Sequence, residues 1–273
     1  MSSLRSTVRK IIPFALRVRV QQARRHIQWR LRPLPWATRR GEPADFPCVL
    51  DERSSPLHRV TAGPQGLGSE GKEQNIALGA EAIDGLVVFP GEVFSFCRII
   101  GPTTCRRGYV PGLEMHDQEL TRSPGGGLCQ LANLLFAMAV HADAEMIERH
   151  RHSFDLFPDA DRTVPFGFGA TVFYNHVDFQ FRNTLDQPLL IHTWVDGGHL
   201  HGQIRLGKCP GWRMRVVETG HRFHRENGHI YRENQLWKQR VGMDGTEHER
   251  IALFSTKAQV LYPAEHLLDP HES

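Results

Sequence analysis

Residues 122–140 read RSPGGGLCQLANLLFAMAV: three glycines, then Cys129, then a strongly apolar stretch. Leu131, Leu134, Leu135, Met138 and Ala139 recur at helical spacing, which predicts a central helix from Leu128 to Met146. A glycine inside a regular element weakens it by roughly 0.5–1 kcal/mol relative to alanine. Three in a row, at the mouth of the chain's best helix, imply a compensating need for unusual backbone.

Outward from this helix the texture changes. Downstream, SFDLFP, ATVFYNHVDFQFRNT, PLLIHTWVDGGHLHGQIRL and WRMRVVET are rich in β-branched and aromatic residues and predict strands. Hairpins are predicted at Gly197-Gly198, Asn227-Gly228 and Asp244-Gly245. Upstream, NIALGAEAI predicts a helix from Asn75 to Ile83, followed by a short apolar strand that closes at Pro90-Gly91. EVFSFCRIIGP predicts a strand or strand-turn, and the segments around YVPGLEM and QELTRSP predict two strands joined by a turn. Pro, Gly, Ser and charge punctuate residues 41–71, which read as a linker or long loop with one short strand. Helices first and antiparallel strands after make the class α+β: a central helix starting at a Gly-rich loop and packed on an antiparallel β-sheet. The expected divisions are a basic arm over 1–45, a core over 46–207 and a β-rich C-terminal extension over 208–273.

The 273 residues are 40% hydrophobic and 23% charged, an ordinary globular composition that buries a core without staples. No run of eighteen apolar residues occurs. The formal charge of +3 conceals an asymmetry: residues 1–40 hold eleven Lys and Arg and no Asp or Glu, leaving 22 basic against 30 acidic residues elsewhere. Within the arm, the apolar stretch Ile11 to Leu16 is too short for a secretory h-region, and no small-residue cleavage site follows. The arm reads as a broken amphipathic segment: a solvated cap on the domain, an anchor to an anionic membrane surface, or a transit peptide. No nucleic-acid motif accompanies it, so nucleic acid is not an expected partner. A cytoplasmic location, peripheral at the inner membrane face, is the expectation. Cys48, Cys97, Cys105, Cys129 and Cys209 have irregular spacing and no CxxC, so reduced thiols are expected, with Cys97–Cys105 the one bridge considered on export.

Cys129 stands one residue into the predicted helix, where unpaired N–H groups and the helix dipole stabilise a thiolate. Gly125, Gly126 and Gly127 would let the backbone aim N–H groups at an oxyanion, with Gln130 as a further donor. A thiol nucleophile needs a base and a group to orient it. His150 and His152 follow the helix and share a face if that stretch is extended; Asp155 and Asp178 are the nearby carboxylates. Three alternatives stay open: the loop binds an anion, it serves backbone geometry alone with Cys129 a small core residue, or the HxH pairs join a metal site. No third and fourth metal ligand has a recognisable spacing, and no cofactor motif is visible.

The combination PGEVFSF, IGPTTCRRGYVPGLEM, GGGLCQ, RHRHSFDLFP, GATVFYNHVDFQFRNT and PLLI resembles the VanW family, in that family's order from Glu92 to Leu206. The resemblance implies an association with vancomycin-type resistance and the bacterial envelope, with a peptidoglycan precursor or another envelope component as partner. Two positions depart from it. The family commonly continues GGGxCQ with Ser-Thr-Thr, where this chain has Leu131, Ala132 and Asn133, and its frequent DATV is GATV here, with Gly169 for the Asp. On the catalytic reading Cys129 is the nucleophile of acyl transfer or amide hydrolysis, His152 the base with His150 the alternative, and Asp178 or Asp155 the orienter. On the binding reading the same pocket holds an anionic group of the precursor, or a partner resistance protein.

Overall fold

The structure is a computed structural model that describes residues 14–31, 33–58, 71–116, 119–151, 154–155 and 164–268. In chain order its elements are α1 (Phe14–Leu31), β1 (Arg39–Arg40), β2 (Cys48–Pro56), α2 (Lys72–Ile83), β3 (Leu86–Val88), β4 (Val93–Ser95), α3 (Phe96–Ile100), β5 (Pro111–His116) and β6 (Glu119–Pro124). They continue with α4 (Cys129–His141), β7 (Glu145–Glu148), β8 (Phe154–Asp155), β9 (Gln180–Arg182), β10 (Leu189–Asp196), β11 (His199–Leu206), β12 (Trp212–Glu226), β13 (His229–Gly242) and β14 (Glu247–Val260). The architecture is α+β.

One sheet has the order β1-β3-β10-β11-β2, all antiparallel. Along β11 the inward Leu200, Gly202, Ile204 and Leu206 alternate with outward His199, His201, Gln203 and Arg205, the period-two pattern of a half-buried strand. Helices α2 and α4 cover its inner face. Gly202 admits α4 closely, since a Cβ there would meet Leu134 at 2.4 Å. The second sheet, β4-β9-β7, brings Phe94 and Phe181 onto Phe179, which packs on Phe136 of α4. Covered on both sides, α4 buries every residue from Leu134 to Val140, as a helix apolar all round must.

The central helix ends at His141 rather than Met146. Asp143 takes a left-handed conformation (φ 54°) and its carboxylate accepts hydrogen bonds from Lys238 and Arg240 of β13. That long-range clamp stops the helix and frees Met146 to pair with Phe181. The expected linker over 41–71 is also corrected: β2 is a nine-residue strand on the sheet edge, with β1 on the opposite edge. Of the long strand predicted over ATVFYNHVDFQFRNT, only β9 forms a sheet. Phe173 and Val177 close a turn around Asn175 (φ 51°), whose N–H is held by Cys97 Sγ.

Strands β12, β13 and β14 form a long meander, which turns at Asn227-Gly228 and near Gly245 where positive φ is required. Its Leu236 and Phe254 join the core around Phe136. Buried Arg232 meets Asp155 at 3.2 Å, and β14 pairs with β8. The expectation of reduced thiols is overturned at one pair: Cys48, at the start of β2, is bonded to Cys209, with Cα atoms 5.3 Å apart. The pairing of Cys48 with Leu206 across the sheet brings the two together. Cys97, Cys105 and Cys129 stand outside the disulfide.

Candidate functional site

The glycine triplet has a physical cause at each position. Gly125 (φ 92°) and Gly127 (φ 101°) occupy backbone that L side chains rarely adopt. At Gly126 the reason is contact, since a Cβ there would lie 2.0 Å from Gly112 O on β5. Buried Asn75 of α2 fixes the approach: its Nδ2 donates to the carbonyls of Gly126 and Val110, and its Oδ1 accepts from Val110 N, all at 2.9 Å. An asparagine on the apolar face of a helix could have flagged this clamp in the sequence, but its partners are 35 and 51 residues away.

Cys129 opens α4, as expected, and is half-buried. Its Sγ donates to Val172 O at 3.6 Å. The N–H of Gly125 is given to Val110 O and that of Gly126 to Ser123 O, so these two amides hold the loop together. Gln130 reaches the other way, Nε2 donating to Ser55 Oγ at 2.8 Å and Pro56 O at 2.9 Å, and ties α4 to β2.

The remaining expected residues are dispersed. His152 lies outside the described residues. His150, whose carbonyl accepts from Thr171 N next to Val172, turns its imidazole to Glu148, 3.1 Å away. Asp155 Oδ2 accepts from Arg232 and Tyr262, toward the C-terminal sheet. Fully buried Asp178 accepts from Ser95 Oγ (2.6 Å), Gln180 Nε2 (2.7 Å), Cys97 N and Phe179 N (both 2.8 Å), which anchors the turn before β9 to β4 and α3. Burial pushes its carboxyl up against the pull of these donors. Cys97 is pushed well up by its own burial and by Asp178, the signature of an unreactive thiol. Among the described residues, no three His, Cys, Asp or Glu side chains are grouped to hold a metal ion.

What the loop does border is a cleft of about 440 Å³. It is lined by Gly125 and Leu128 of the loop, by the hydroxyl-bearing Thr103, Thr104 and Ser123, and by Phe173 and Tyr174 beside Gln22 of α1. Val172, the carbonyl partner of Cys129, also lines it. The Thr103-Thr104 segment was missed as a site element. Its signal is small polar residues between Gly101-Pro102 and a basic turn.

Gly169 has its own explanation. Asn133 Oδ1 accepts from Ala170 N at 2.8 Å and would lie 2.4 Å from a Cβ at position 169. The two departures from the family pattern therefore meet in space: the Asn133 amide fills the volume that a side chain at 169 would need.

A family model described as VanW like protein matches residues 71–205. Over 229 residues the chain is 28% identical to the Vancomycin B-type resistance protein VanW of Enterococcus faecalis, across 84% of this chain and 83% of that one. It is 36% identical over 152 residues to the Uncharacterized protein YoaR of Bacillus subtilis, across 55% of this chain and 48% of the other, about half of that relative's length. No solved structure matches with significance. The matched span runs from the cap of α2 to the end of β11 and contains the Asn75 clamp, the glycine loop, Cys129 and Asp178. Residues 71–205 are a VanW-like domain, and the likeness to VanW extends over most of the chain.

Proposed function

We propose that this chain is a glycopeptide-resistance-associated protein that binds a peptidoglycan-precursor peptide in the cleft beside the glycine loop. The observation that carries the reading is the cleft itself, lined by apolar Leu128, Phe96 and Phe173 together with the hydroxyl-bearing Thr103, Thr104 and Ser123. Few polar groups in an apolar concavity are the general design of small-ligand sites. Binding is favoured over catalysis by two features of the loop. The amides of Gly125 and Gly126 are donated within the protein. The Cys129 thiol is engaged with the Val172 carbonyl.

The test is calorimetric titration of a peptidoglycan-precursor peptide into the full chain, its Cys129→Ala variant and its Thr104→Trp variant. The expected result is saturable binding that survives Cys129→Ala and is lost in Thr104→Trp, an exposed position where a large ring fills the cleft. Binding unaffected by Thr104→Trp overturns the site. Peptide cleavage or transfer that vanishes with Cys129→Ala overturns the non-catalytic reading in favour of a thiol enzyme, for which Cys129 stands at the favourable end of α4.

A further inference from the structure

Helix α1 is docked by one face only. Gln22 Nε2 donates to Tyr174 O, Arg25 pairs with Glu148, and Trp29 meets Trp36 and the Arg98 guanidinium. These residues recur at three- and four-residue spacing, so they share the inward side. At 3.6 residues per turn, Leu16, Val20, Ala23, Ile27 and Leu31 fall on the other side within a sector of about 80°. Leu16, Val20 and Ile27 are 51–58% exposed and Leu31 is 76% exposed, so nothing among the described residues covers them. The stripe is about 22 Å long at 1.5 Å per residue.

Its borders are basic. Arg19 and Arg30 flank it on one side and Arg24 on the other, all exposed, and the helix contains no acidic residue. The neighbouring sequence adds Arg5, Arg9 and Lys10. No helix among the described residues is long and apolar enough to cross a membrane. An exposed apolar stripe between rows of arginine matches a surface with an apolar interior and an anionic outer layer. A second copy of the same helix would set arginine rims against each other.

We propose that α1 lies in the interface of an anionic phospholipid bilayer, with Leu16, Val20, Ile27 and Leu31 in the acyl boundary and Arg19, Arg24 and Arg30 on the headgroups. The opposite face of α1 lines the cleft through Gln22, so the docked helix also holds that cleft beside the membrane surface.

Vesicle co-sedimentation of the full chain tests this, with equimolar phosphatidylglycerol and phosphatidylcholine set against pure phosphatidylcholine. The expected result is partition onto the anionic vesicles that salt weakens. Replacing the three arginines together by glutamine lowers it by on the order of a hundredfold, at about a fivefold loss for each charge removed near the surface. Val20→Ser with Ile27→Ser lowers it roughly tenfold. Both variants change exposed side chains, and an unaltered urea midpoint establishes that each is folded. Equal binding to both vesicle types, binding to neither, or binding that either folded variant leaves unchanged overturns the proposal and assigns the stripe to a protein partner.

Discussion

Gly126 and Gly112 stand so close that a Cβ on either would reach the other's carbonyl oxygen, at 2.0 Å from Gly126 and 2.3 Å from Gly112. Backbone occupies both sides, so no side-chain rotation relieves the clash. Gly126→Ala is expected to destabilise the chain by about 3 kcal/mol or more, the upper end for overpacking. Gly211→Ala, with nothing within 4 Å and no positive φ, is expected to stay within about 0.5 kcal/mol of wild type. Urea denaturation of the two variants measures the difference, and equal midpoints would contradict the contact.

The contact also explains how far the sequence could be read. The spacing of Leu131, Leu134, Leu135 and Met138 announces α4, and the Gly197-Gly198 and Asn227-Gly228 turns announce their hairpins, because each depends on neighbours a few residues away. The reason for the glycine triplet is not local. It depends on Gly112 and Asn75, which the fold brings in from β5 and α2. The same holds for the end of α4, set by Lys238 and Arg240, and for the partner of Cys48, which lies 161 residues away. Position placed Cys129 correctly at a helix start; Thr103 and Thr104, which line the neighbouring cleft, arrive from a loop that periodicity does not mark.

Asn133 and Gly169 make a second contact pair with a sharper test. Gly169→Asp alone drives a Cβ onto the Asn133 amide and is expected to cost about 2–3 kcal/mol. Asn133→Ser alone leaves Ala170 N without its acceptor, at about 1 kcal/mol. Together they clear the overlap, so the double variant is expected to be more stable than Gly169→Asp by more than about 1 kcal/mol, a coupling that independent sites do not show. Additive losses would mean that the two residues are unconnected.

Cys48–Cys209 ties the start of β2 to the segment that leads from β11 into the C-terminal meander. Replacing both cysteines by serine is expected to lower stability by about 2–4 kcal/mol. Dithiothreitol should lower the wild-type midpoint similarly and leave the double variant unmoved. A wild-type midpoint insensitive to reductant would show that the bond does not form. Such bonds persist where thiols are not kept reduced, so the redox state of the protein taken from cells, read by alkylation and a non-reducing gel, also reports its compartment.

Glu148 gives the fold an acid limit. Burial alone would raise its carboxyl, but hydrogen bonds from His150 and Arg25, the Arg25 charge and the Asp178 N–H outweigh it and hold the group at about 2. A carboxyl lower in the folded chain than in the unfolded one stabilises above its unfolded value and loses that contribution as it protonates in the fold. The Glu148 share should therefore be complete above about pH 5 and decline as pH falls toward 2, by about 1–2 kcal/mol once the solvent screening of a partly exposed pair is counted. Glu148→Gln should show the loss at neutral pH and a flatter stability profile between pH 5 and 2, measured by urea midpoints across that range. Because Arg25 joins α1 to β7 through this carboxylate, the variant should also loosen the helix, with faster amide exchange in residues 14–31 than in α4. Parallel profiles for wild type and variant would remove Glu148 as the source of the acid sensitivity and leave α1 held by its other contacts, among them Trp29 on Trp36, Gln22 on Tyr174 O and His26 on Asn175.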